Sequence, residues 1–200
     1  MVIKGRSDGE ETKKRIVQNA AKLFVQKGYG AVTMNEVCVA AGVSKGSLYH
    51  HFPSKDELFL YVVEEDTELW LQNWDIKRAG IADLEERFYA YAEHCANDFQ
   101  NPLIRALEEY ARIKDHTAEI EKRLWHMYDY SLRACRELVK EGIDTHYLKA
   151  DNPEDIVVIL SGLLEGVGKV SDISRLPMGL EEIKEYYRKS LRLLLQGIRI

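Results

Sequence analysis

Proline is scarce, with four residues in 200, so few positions forbid a helix from continuing. Cysteine is scarcer still. Cys38, Cys95 and Cys135 form no CxxC pair and have no histidine at metal-ligand spacing. That odd, unframed set excludes a disulfide scaffold and fits a reducing cytoplasm. Met1 to Gly9 is polar and lacks the apolar stretch of a secretory signal. The most apolar run, Ile156 to Leu164, is interrupted by Ser161 and Gly162 and falls well short of the ~20 residues that span a bilayer. Nucleophile elbow, HExxH, phosphate loop and clustered Cys/His sets are all missing, so neither an enzyme nor a cofactor is expected. The expectation is a cytoplasmic protein without membrane association.

What the chain does have is unevenly spread charge. The net value is −5. From Met1 to Lys55, however, nine Lys/Arg face four acids, giving +5 and leaving −10 for the remainder. Such a split suits one end that meets a polyanion and one that does something else, although basic and acidic helices alternating by chance would give it too.

Helical spacing and capping boxes order the chain into about nine helices. Ser7 to Glu10 reads as a box opening the first, whose apolar positions include Ile16, Ala20, Leu23 and Phe24; Gly28 ends it. Thr33 to Glu36 opens a second helix that Gly42 stops. Ser44 opens a third that halts before Phe52-Pro53, and Ser54 to Glu57 opens a long fourth to about Trp74. Further helices are expected from Ala82 or Asp83 to about Asn97, Pro102 to about Lys114, about Thr117 to Glu141 with Gly142 as its stop, Pro153 onward, and Gly179 or Leu180 to near Gly197. The fold class is therefore all-α: a three-helix N-terminal domain over 1–55, and a larger helical domain over 56–200.

Two short helices around a glycine turn make a helix-turn-helix pattern. Val37, Ala40 and Ala41 are placed to pack on Val43, Leu48 and Phe52. The opposite side of the second helix then presents Lys45, Ser47, Tyr49 and His50, with Gly46 letting the backbone approach DNA; the alternative is a helical hairpin with a solvated polar face. The sequence Ala40-Ala41-Gly42-Val43-Ser44-Lys45-Gly46-Ser47-Leu48-Tyr49-His50-His51-Phe52, followed by Ser54-Lys55-Asp56-Glu57-Leu58, resembles the signature of TetR-family transcriptional regulators. The stretch from Arg15 to Phe24, then Gly28-Tyr29 and Val32-Thr33-Met34, resembles the family's first helix and the start of its second. The resemblance implies phosphate contacts by Thr33, Tyr49 and Lys55, and groove contacts by Ser44, Lys45, Gly46, Ser47 and His50. His51 suits the hydrophobic turn as well as DNA, and Lys13, Lys14 and Arg15 suit solvent as well as phosphate.

Regulators of this class dimerise on a near-palindromic double-stranded operator. Ile156, Ile159, Leu160, Leu163, Leu164 and Val167 on the eighth expected helix, with Ile183, Tyr187, Leu191 and Leu194 on the ninth, are the candidate homodimer face. Filling the monomer core is the alternative. Twelve of 19 aromatics lie between Phe59 and Tyr130. Glu86-Arg87-Phe88-Tyr89-Ala90-Tyr91 and the Trp70/Trp74 pair are similar to QacR-like multidrug-binding repressors within the family. By that likeness a small-molecule inducer, aromatic or cationic and lipophilic, would meet Asp66, Trp70, Trp74, Tyr91, Asp98 and Phe99, with Tyr110, Trp125 and Tyr128 as further aromatic candidates. Gln100 and Asn101 depart from the aromatics expected there. A thiol-based redox sensor using Cys95 or Cys135 is the competing reading.

Overall fold

The computed structural model describes residues 4–99, 101–112, 116–149, 152–173 and 178–199. Among them lie ten helical segments and no strand: α1 Lys4–Ala31, α2 Met34–Ala41, α3 Lys45–His51, α4 Lys55–Ala79, α5 Leu84–Phe99, α6 Pro102–Ala111, α7 Ala118–Ser131, α8 Arg133–Asp144, α9 Pro153–Ile173 and α10 Leu180–Ile198. The all-α reading holds. Where one helix was expected from Thr117 to Glu141, two segments meet at Leu132; counted as one bent element they leave nine.

The break has a local cause. The Ser131 hydroxyl donates to the Tyr128 carbonyl at 2.7 Å. The Leu132 amide is then shared between Tyr128 and Asp129 oxygens at 3.3 and 3.2 Å, as happens when a serine competes for the helix ladder. Gly142 does not stop the second segment. It lies inside α8, where a Cβ would come within 2.8 Å of the Leu148 side chain. Two other boundaries shift. α1 begins at Lys4, so Ser7 lies within it rather than capping it, and α4 runs beyond Trp74 to Ala79. The end expected at Lys114 falls outside the described residues.

Most other helix starts follow the capping residues in the sequence. Ser54 accepts from the Glu57 amide, Asp83 from Glu86, Asn101 from Leu103 and Asn152 from Glu154, at 2.8–3.3 Å. Each satisfies an orphan donor of a first turn. Pro102 and Pro153 each occupy the first helical position, where no amide hydrogen is needed.

The chain packs as two compact units. One comprises 1–68 and 101–121; the other, 69–100 and 122–200. In the first, α2 and α6 pack on α1. Phe24, Tyr29, Phe59 and Tyr110 form a continuous aromatic centre with ring centroids 4.6–5.2 Å apart at the closest pairs. Gly28 adopts φ 74°, ψ 171° and kinks the end of α1. The Glu109 carboxylate lies against that kink: a Cβ on Gly28 or Gly30 would come within 2.9 Å of its oxygens. In the second unit α5, α8, α9 and α10 surround one core that includes Trp74, Phe88, Tyr91, Leu138, Val157, Tyr187 and Leu191.

Candidate DNA-binding head and ligand-binding body

Thr33 builds the start of α2 through a reciprocal box. Its Oγ1 accepts from the Glu36 amide at 3.3 Å, while Glu36 Oε2 accepts from the Thr33 amide and hydroxyl at 2.9 and 2.8 Å. Lys27 donates to the other oxygen at 2.6 Å. Lys27 first, then Thr33, hold the Glu36 carboxyl down from its ordinary value to about 2. After eight residues Gly42 turns the chain at φ 62°, ψ 41°, and Ser44 Oγ accepts the Ser47 amide at 3.2 Å to start α3. Val37, Cys38, Ala41, Leu48 and Phe52 are buried beneath this turn. Ala40, expected inside, is exposed instead.

With Leu48 fully inside, α3 turns the opposite face outward. Ser44, Lys45, Gly46, Tyr49 and His50 are exposed, and Ser47 is half-buried. Thr33 is exposed as well. Lys55 is differently placed. Its ammonium donates to the Tyr29 and Val32 carbonyls at 2.9 and 3.1 Å and sits 4.1 Å above the Tyr29 ring. It thus ties the start of α4 to the end of α1, and what remains for an outside anion is the amide-rich end of α4. Arg15 and Lys13 also have internal roles. Arg15 donates to the Ala41 carbonyl at 2.9 Å, and Lys13 lies 3.9 Å above Tyr61. These long-range partners carry no local pattern, and sequence reasoning missed them.

The nine expected ligand residues are divided between the two units. Asp66 and Tyr110 belong to the first unit; the other seven belong to the second. Asp66 accepts from Asn101 at 2.9 Å, and burial raises its carboxyl pKa. Trp125 and Tyr128 stand exposed on α7. The Phe99 side chain lies outside the described residues. Trp70, Trp74 and Tyr91 do assemble, around a residue that was not foreseen: His94. Trp70 and Trp74 lie 4.5 and 5.7 Å from the His94 ring and 6.3 and 5.2 Å from Tyr91. His94 lies one helical turn beyond Tyr91, so the i, i+3 spacing was its available signature. Burial keeps its imidazole pKa below the ordinary value, and the charge of Lys77 adds to that. Both indole N–H groups are buried without an acceptor among the described residues; each such unmade bond costs about 1–3 kcal/mol.

Most of the expected dimer face turns inward. Ile156, Leu160, Leu164, Ile183, Tyr187 and Leu191 are buried in the core of their own unit and have little surface for a partner. The outward side of α9 and α10 carries a different set. A groove of about 690 Å³ is lined by Gly162, Leu163, Gly166, Val167, Val170 and Leu193, among others. Of the expected residues, Ile159 is exposed, and Leu163, Val167 and Leu194 are half-buried.

Two family profiles cover nearly the whole chain. "Bacterial regulatory proteins, tetR family" matches residues 16–62, and "QacR-like protein, C-terminal region" matches 66–199. The chain belongs to the TetR family, with a QacR-like C-terminal region. It is similar to the transcriptional regulator QacR of Staphylococcus aureus, 29% identical over 131 residues that cover 65% of this chain and 70% of that one. The repressor Rv1474c of Mycobacterium tuberculosis is 25% identical over 184 residues, covering 89% and 94%. A transcriptional regulator from Saccharomonospora viridis, solved with choline, shares the fold at TM-score 0.76 and 18% identity, covering 96% and 99%.

As a TetR-family protein the chain is a DNA-binding transcriptional repressor with a ligand-binding domain, not an enzyme. No helix among the described residues is long and apolar enough to cross a membrane. The redox alternative is not supported. Burial pushes the Cys135 thiol up to about 11 and the Cys95 thiol higher still, whereas a reactive cysteine needs a lowered pKa and access.

Proposed function

We propose that this regulator binds a near-palindromic operator as a homodimer, acts in the cytoplasm, and is released by a small lipophilic molecule that is aromatic or cationic. The observation that carries the reading is the capped α2–Gly42–α3 turn with its outward polar face. Lys45, Gly46, Ser47, Tyr49 and His50 would enter the major groove or meet its phosphates, Ser44 would stand at the start of that helix, and Thr33 and the α4 start at Lys55 would meet the backbone. Residues 1–55 then serve as the DNA-binding domain and 56–200 as the sensing and dimerising one.

The dimer contact proposed here is the outward face of α9 and α10. It keeps Ile159, Leu163, Val167 and Leu194 from the expected set and adds Gly162, Gly166, Val170 and Leu193. Release is proposed as a population shift. α4 is one continuous helix that carries Lys55 near its start and Trp70 and Trp74 in its second half. A ligand that favours one placement of α4 disfavours the other, and ligand and operator weaken each other by the same factor.

Selection of tight-binding duplexes from a random pool tests the DNA half. Enrichment of two half-sites about one helical turn apart is expected, with binding lost in Lys45→Ala and Tyr49→Ala. A pool that stays random would overturn the reading.

A further inference from the structure

Beyond the Gly28 kink, the carbonyls at the end of α1 and just past it find their donor on α4. The Lys55 ammonium donates to Tyr29 at 2.9 Å, to Val32 at 3.1 Å and to Gly30 at 3.5 Å. An ammonium has three hydrogens, so these oxygens take all of them. Asp56, the next residue, accepts from the Tyr29 hydroxyl, and the Tyr29 ring lies 4.1 Å from the Lys55 nitrogen. The Val32 carbonyl matters most, because it forms one planar peptide unit with the Thr33 amide. Lys55 holds the oxygen edge of that unit. Glu36 Oε2 accepts from the nitrogen edge at 2.9 Å, and Lys27 donates to the other Glu36 oxygen at 2.6 Å. The plane cannot rotate without losing a bond on one side. Thr33, exposed at the start of α2, is thus placed in part from α4.

We propose that Lys55 is a positioning residue for operator binding: it acts through the Val32–Thr33 peptide unit, setting where Thr33 meets the DNA backbone, and makes no bond to phosphate itself. The proposal rests on the operator-binding reading above and replaces the phosphate contact that the family resemblance implies for this lysine. Drawing the ammonium out to a phosphate would exchange three carbonyl bonds and a cation–π contact for one new partner. It would also release the plane on which Thr33 stands, so a direct Lys55 contact would be made at the expense of the Thr33 one.

Two measurements on the full chain, with a duplex taken from the selection above, test this. The first is a double-mutant cycle on duplex affinity. Lys55→Met and Thr33→Ala are each expected to weaken binding about tenfold, the scale of one charged hydrogen bond. Together they should cost little more than one alone, because both disable the same contact. Losses that multiply overturn the proposal, since a phosphate contact by Lys55 itself, or a lysine that merely stabilises the fold, leaves the Thr33 contact to be lost in full. The second needs no loss of the lysine from the protein under test. NMR of nitrogen-labelled wild type, with the Lys55 signal identified by its absence in Lys55→Arg, should show a slowly exchanging Lys55 ammonium. Its shift should stay the same in free and duplex-bound protein, with no scalar coupling to DNA phosphorus. A coupling to phosphorus, or an ammonium that exchanges freely with water, overturns the proposal. Tight duplex binding with either of those results leaves the operator reading standing while this one falls. If wild type binds no duplex, both fall.

Discussion

Leu148 fills the space that a side chain at position 142 would need, 2.8 Å from where its Cβ would stand, with Phe88 at 3.5 Å. Gly142→Ala should therefore destabilise the protein by about 1–3 kcal/mol, the usual cost of overpacking, read as a lower urea midpoint. Glu36 gives a second test, in pH. Its folded-state pKa is depressed to about 2 from an ordinary 4.5. The unfolded chain therefore takes up the proton first as pH falls. The stability contributed by the Thr33–Glu36–Lys27 group is complete above about pH 4.5 and fades as pH drops through about 2. Urea midpoints of the wild type and Glu36→Gln should differ near neutral pH and converge at the acid end. Thr33, Gly42 and Ser44 were legible in the sequence because a cap bonds within three or four residues of itself. Lys55 and Arg15 were not: their partners lie 23 to 26 residues away, where spacing says nothing.

Among the helices, α9 shows why one apolar face could be mistaken for another. Ile156 through Leu160 are five apolar residues in succession, so no stripe marks the inner side. Packing puts Ile156, Val157 and Leu160 inside and leaves Val158 and Ile159 exposed. The hydrophobic effect fixes that such a helix is buried, not which side of it faces its own chain. The α7–α8 break was hidden for a related reason, because serine and leucine are both tolerated within helices. Ser131→Ala should leave the Tyr128 carbonyl to the Leu132 amide alone, and that amide should then exchange its hydrogen more slowly. A rate unchanged from wild type would place the cause of the break elsewhere.

For the molecule as a whole, the opposite charges of its two ends were readable directly, but the grouping of helices was not. α6 packs with α1, although it follows α5 in the chain. The proposed dimer makes a prediction at this scale. Leu193→Asp buries a charge in an apolar groove if the groove is an interface, so sedimentation should show monomers. Operator affinity should fall more than tenfold, since each head then binds without the other held nearby. A variant that remains dimeric would move the interface elsewhere. The α1–α6 packing also bears on descent. The Glu109 carboxylate stands where Gly28 and Gly30 have no side chain, but it ends a flexible side chain that can swing aside; what holds Gly28 is its backbone, whose φ of 74° disfavours any other residue. Descent is therefore expected to hold position 28 to glycine through its backbone, and to leave position 30 open to alanine once the acid has moved aside.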